Sequence, residues 1–239
     1  MNPILVKAIG AAFGLPMETG TPPPKKEFDD PWRKVSWSKQ NRDEMVRVLR
    51  NFELNDPDVG QLRCLLHGPV GAGKSSFINS VNNVFQGRIT SGALVAAASG
   101  TSFTMTYKTH YIKNGKSRLP FAFNDVMGLE AQENGMQPED IISALKGHLP
   151  EGYKFNPCWP LTEESAEYNK KPTSSHKVHC LVSVVPADKI SLMSSDVTAK
   201  MRKVREKASK LGELFQPLYV SLCLSHTVFL KWPLAVDSS

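Results

Sequence analysis

Apolar residues along the chain change period several times, and each change predicts an element. From Asn41 onward, Met45, Val48, Leu49 and Phe52 fall at i, i+3, i+4 and i+7, the spacing of one helix face. Asn55-Asp56-Pro57-Asp58 with Gly60 reads as a turn. Leu62-Arg63-Cys64-Leu65-Leu66 is a short apolar strand that leads straight into a glycine-rich loop. Helical spacing resumes with Phe77, Ile78, Val81, Val84 and Phe85. Two strands, 104–112 and 118–124, then flank Asn114-Gly115, a hairpin signal because both residues tolerate positive φ. Pro120 weakens the second of them. Pro138-Glu139-Asp140 opens a helix, with Pro near its first position and acids in its first turn, and Gly147 is the expected stop. Residues 149–176 hold four prolines and little periodicity, which predicts a family-specific insertion. A buried strand over 178–185 follows. Val197, Met201, Val204, Ala208 and Leu211 then trace a helix face, and 218–230 supplies a final apolar strand.

The predicted order is β-α-β-β-α-β-α-β. It argues for an α/β fold: a mostly parallel, doubly wound sheet with a β-hairpin and helices on both faces. Residues 1–27 read as a flexible lead ending in the stiff Pro22-Pro23-Pro24-Lys25-Lys26 linker. Residues 28–60 read as a helical extension whose Phe28, Trp32 and Trp37 dock on the domain. The main domain runs over 61–230, with 149–176 as its insertion loop, and 231–239 is a tail.

Composition narrows the class. Of the 239 residues, 41% are hydrophobic and 22% charged, which supports a sizeable core and excludes wholesale disorder. The net charge of +6 is concentrated in 200–210. That stretch reads as the solvated face of a helix or as a surface for nucleic acid or anionic lipid. No apolar run approaches the ~18 residues of a membrane span. The mildly apolar 3–17 stretch lacks a basic start and is interrupted by Lys7 and Pro16, so a signal peptide is not expected. The four cysteines, Cys64, Cys158, Cys180 and Cys223, form no CxxC pair, and His176, His179 and Cys180 lack a second pair of ligands at metal spacing. The chain reads as cytoplasmic, reduced and free of membrane.

The chemistry lies in Gly68-Pro69-Val70-Gly71-Ala72-Gly73-Lys74-Ser75, which matches G-x-x-x-x-G-K-[ST] without a mismatch. The glycines let backbone N–H groups turn inward and approach phosphate oxygens without a Cβ in the way. Lys74 would place a cation on the β and γ phosphates, and the Ser75 hydroxyl would be a Mg²⁺ ligand. Ser76 extends the phosphate-binding run into the helix, whose N-terminal dipole favours an anion. Asp125-Val126-Met127-Gly128 forms a D-x-x-G at the end of the hairpin's second strand. It would set Asp125 near the Mg²⁺ water shell and the Gly128 amide near the γ-phosphate. Between the two motifs, Ser99-Gly100-Thr101-Ser102-Phe103-Thr104 offers a hydroxyl to the metal and γ-phosphate. Thr101 is the preferred candidate and Thr104 the other.

These residues resemble P-loop GTPases of the Ras-like class. More narrowly, they look like the interferon-induced protein 44 and 44-like family. The likeness rests on Phe28-Asp29-Asp30-Pro31-Trp32-Arg33, on Gly68 through Ser75 continued by Ser76-Phe77-Ile78-Asn79-Ser80, and on Phe123-Asn124-Asp125-Val126-Met127-Gly128-Leu129. His179-Cys180-Leu181-Val182 and the basic helix ending at Leu211-Gly212 extend it. The resemblance, which covers about 28–212, implies a cytoplasmic, GTP-binding protein of the innate antiviral response.

Two departures shape the expectation. Leu129 stands where Ras-like enzymes have Gln to orient water, so no catalytic residue is assigned and hydrolysis should be slow or absent. Glu130 is a substitute only by proximity. The strand that should precede [NT]-K-x-D gives Leu224-Ser225-His226-Thr227-Val228, with no Asp, and Asp237 in the tail aligns with nothing. The domain is expected to be incomplete at its C-terminal end, as after an alternative C-terminus, leaving an exposed apolar sheet edge. Three readings follow: a Mg²⁺-dependent GTP/GDP-binding protein, a scaffold that works through protein partners without nucleotide, or an ATP-using enzyme. A nucleic-acid role for 200–210 is a side hypothesis.

Overall fold

A computed structural model describes residues 38–54, 56–90, 92–93, 105–131, 135–211, 218–223 and 227–228. Thr101, Thr104 and the rest of the Ser/Thr-rich segment lie outside the described residues. So do the aromatics Phe28, Trp32 and Trp37, the break at Gly212 and the tail with Asp237.

The described elements are α1 (Lys39–Arg50), β1 (Leu62–His67), α2 (Lys74–Gln86), β2 (Lys108–Asn114), β3 (Ser117–Asp125), α3 (Pro138–Lys146), β4 (Cys180–Pro186), α4 (Ser195–Ser209), β5 (Leu218–Cys223) and β6 (Thr227–Val228). The strands form one sheet in the order β2-β3-β1-β4-β5-β6. The inner four, β3, β1, β4 and β5, run parallel, while β2 and β6 lie antiparallel at the two edges. The chain is therefore α/β with a mixed sheet. Among the described residues no helix is long and apolar enough to cross a membrane.

Both sheet faces are covered, which is why β1 and β4 read as continuous apolar runs. Leu65 points into a cluster with Ile141, Leu145, Leu181, Met201 and Val204, beneath α3 and α4. Cys64 and Leu66 point the other way, among Phe77, Ile78, Phe85, Phe121 and Phe123 beneath α2. Burying each such leucine favours the fold by about 1.5–3 kcal/mol. β3 and β4 flank β1 on opposite sides, so loops leaving the carboxyl ends of the three strands diverge there. That divergence is the usual place for a ligand in an α/β sheet.

Several expectations need adjustment. The first hairpin strand begins at Lys108, and before it Thr106 makes an isolated bridge to Lys154. The hairpin turn is Gly115-Lys116, because Asn114 pairs with Ser117 and Gly115, at φ 62°, takes the left-handed first position. α1 forms where the spacing predicts, capped by Ser38, yet Met45, Val48, Leu49 and Phe52 are exposed. The helix instead attaches through half-buried Val46 and an Arg50 hydrogen bond to the Phe85 carbonyl. The final apolar run breaks into two strands, and β6 folds back on β5 at Leu222↔Val228 and Cys223↔Thr227, so part of the expected open edge of β5 is paired.

The proline-rich 149–176 stretch is packed. Tyr107 N–H donates to the Tyr153 carbonyl, Phe155 N–H to Met105, and Leu161 N–H to the Asp140 carboxylate. Tyr153, Phe155 and Leu161 are buried. Glu151 accepts from both the backbone N–H and the hydroxyl of Thr109, fastening the insertion to β2.

Candidate functional site: the glycine loop after β1

The loop leaves β1 through Gly68, at φ 149°. A Cβ at Gly68 would stand 2.0 Å from the Val184 carbonyl oxygen, so glycine alone lets the chain turn this close to β4. Gly73 takes a left-handed conformation as the N-cap of α2, and no side chain caps that helix. Its first-turn amides therefore face the loop rather than a capping oxygen.

Lys74 is 7% exposed and its Nζ turns back over the loop, donating to the carbonyls of Gly68 (3.1 Å) and Pro69 (3.0 Å). Burial pulls its pKa down to about 8, against the upward pull of the Asp125 and Glu130 carboxylates. Ser75 donates its hydroxyl to Asp125 Oδ2 at 2.7 Å, although the two are 50 positions apart. Asp125 is 2% exposed and closes β3 in register with Leu66, so the sheet itself sets its carboxylate beside the loop. The structure thus brings Ser75 of the loop and Asp125 of the strand end into contact, with Lys74 bonded to the loop beside them.

Gly128 also approaches the loop. A Cβ on it would lie 2.4 Å from Val70 Cγ2 and 2.8 Å from Val70 Cα. The next residue closes a short ladder: Leu129 N–H donates to the Gly68 carbonyl, and Val70 N–H donates to the Leu129 carbonyl. The Leu129 side chain is 1% exposed within the core beneath α3. Gly71 and Ala72 complete the loop, with Ala72 N–H bonded to the Pro69 carbonyl, while Ser76 continues α2.

Two features carried no signal in the sequence. His67, the last residue of β1, is buried and shares a 2.6 Å hydrogen bond with the Ser183 hydroxyl of β4. Burial, then the Lys74 charge, lowers its pKa to about 3, so it stays neutral under the loop. The partners are 116 positions apart and meet only through parallel register. The second is the Val70–Leu129 ladder, made by backbone groups that any residue type carries.

The other candidates have structural employment. His179 Nδ1 accepts from the Arg63 N–H, and His176 Nδ1 from Thr173 N–H. In the basic helix, Lys203 and Lys207 both reach Glu139 of α3, at 2.7 and 2.8 Å.

No protein-family model matches the chain. Curated relatives do. Over 182 residues, 75% of this chain and 41% of the relative, it is 36% identical to human interferon-induced protein 44. Over 191 residues, 79% and 42% respectively, it is 34% identical to human interferon-induced protein 44-like. Over this stretch the chain is a homologue of interferon-induced protein 44 and 44-like. The mouse interferon-induced protein 44 matches at 36% over 172 residues. The chain spans about two fifths of the length of the family members it matches, 40–42%.

Proposed function

We propose that the chain is a cytoplasmic guanine-nucleotide-binding protein of the interferon response, with slow or absent hydrolysis. Nucleotide binding rests on one observation: Lys74, Ser75 and Asp125 converge where a glycine loop opens a helix. In this reading residues 68–76 form a P-loop. Lys74 Nζ rests on two neutral carbonyls, and a phosphate oxygen is a stronger acceptor for the same donor. The uncapped first turn of α2 supplies amides and a positive dipole end for the same anion.

The Ser75 hydroxyl and Asp125 carboxylate are hard oxygen donors at hydrogen-bond distance, a set that suits Mg²⁺. Ser75 would ligate it directly and Asp125 through water, with Thr101 as the proposed third group. Bound there, Mg²⁺ would neutralise phosphate charge. Gly128, packed against Val70, would present its backbone to the terminal phosphate. Leu129 can neither donate nor accept through its side chain, so the chain holds nucleotide rather than turning it over. Signalling would then pass to protein partners. The interferon setting rests on the names of the relatives, and guanine preference on the Ras-like resemblance.

The test is displacement of a fluorescent GDP analogue in Mg²⁺. GTP should compete and ATP should not. Equal competition by ATP would remove the guanine assignment, and failure of folded protein to bind the analogue would leave an interaction scaffold.

A further inference from the structure

Away from the loop, two thiols face each other across the middle of the sheet. Cys64 of β1 and Cys180 of β4 are direct partners in parallel register. Both side chains lie on the α2 face: Cys64 is buried in the cluster with Leu66 and Phe77, and half-buried Cys180 packs against it. Neighbouring strands lie about 4.8 Å apart, inside the ~4.4–6.8 Å Cα separation that a disulfide accepts. The neighbouring Cys64 thiol lowers the pKa of Cys180, while the Cys180 thiol and burial push that of Cys64 well up. Cys180 is the more accessible sulfur of the two, so it is the one a peroxide reaches first. Nothing in the nucleotide reading uses either group.

We propose that Cys64 and Cys180 form a reversible intrachain disulfide when the protein meets a hydroperoxide. The Cys180 thiolate attacks the peroxide oxygen and the O–O bond breaks. The alkoxide or hydroxide leaves with a proton as alcohol or water, and Cys180 becomes a sulfenic acid. The Cys64 sulfur then attacks the Cys180 sulfur. The S–O bond breaks, and hydroxide departs with the Cys64 proton as water. Two thiols lose two electrons in total, and the hydroperoxide gains them. The bond ties β1 to β4 within the sheet, four residues before the glycine loop begins.

The full chain, treated with hydrogen peroxide and blocked with iodoacetamide, is digested without reductant and mapped by mass spectrometry. The expected result is one peptide pair joined through Cys64 and Cys180 and separated by dithiothreitol, with exposed Cys158 alkylated. In Cys64→Ala, dimedone should label Cys180, because its sulfenic acid has no partner. In Cys180→Ala, Cys64 should stay a thiol. Circular dichroism confirms that each variant is folded. The proposal is overturned if treated wild-type protein, unfolded in iodoacetamide, carries the alkyl group on both Cys64 and Cys180. Dimedone on wild-type Cys180 without the cross-link, or a Cys180–Cys158 bond in its place, would overturn it equally.

Discussion

Lys74 is the residue on which the site's electrostatics turn. Its amine is buried and its pKa is pulled to about 8, while a bound phosphate would favour the charged form. Protonated Lys74 is the binding form, so nucleotide affinity should be full below pH 8 and fall as pH rises through about 8. Titrations from pH 7 to 9 check this, and an affinity that is flat over that range would contradict it. Gly128 gives a second prediction. A Cβ would collide with Val70 backbone as well as its side chain, so Gly128→Ala must shift the loop. Overpacking of this kind costs about 1–3 kcal/mol. The expected signs are a lower thermal midpoint and weaker nucleotide binding, whereas an unchanged midpoint would mean the loop yields freely. The glycine loop, Lys74 and Ser75 were legible because they are contiguous. Asp125 was legible because a strand-end D-x-x-G has a fixed relation to such a loop. His67 and Ser183 were not, since a polar residue within a mostly apolar strand says nothing of its partner until the register is known.

At the scale of elements, α3 carries two adjacent carboxyls that titrate in opposite senses: Glu139 ties it to α4, and Asp140 ties it to the insertion. Burial pushes the Glu139 carboxyl upward, but hydrogen bonds from Lys203 and Lys207 outweigh it and hold the pKa at about 2. That depressed value contributes stability above about pH 4.5, lost as pH falls towards 2. Burial raises Asp140 to about 6, against the lowering effect of the Leu161 N–H. Its contribution runs the other way, fully present below about pH 4 and lost as pH rises through 6. Urea midpoints should therefore show Asp140→Asn flattening a gain between pH 6 and 4, and Glu139→Gln removing a loss below 4.5. Identical pH profiles for both variants and wild type would refute the assignment. The helices and inner strands were legible because their apolar periods match their burial. The α1 face was misleading. Its spacing is truly helical, but periodicity gives the face and not what covers it, and the contact to the described core is Val46.

Over the whole molecule, β1 connects the parts. It carries the glycine loop at its carboxyl end, pairs with β3 and so sets Asp125, and pairs with β4 and so sets Ser183 and Cys180. A ligand held by Lys74, Ser75 and Asp125 would bridge α2 to β3, and binding to the folded state alone raises apparent stability by mass action. The central claim is that this convergence is a nucleotide site. The most direct measurement is isothermal titration of the wild-type chain and Lys74→Ala with GTP and Mg²⁺. The account predicts saturable one-site binding to wild type. Affinity should weaken about ten- to a hundredfold in the variant, the value of a charge-assisted hydrogen bond or two. Equal affinity in the two proteins, or no heat from folded wild type, would contradict it.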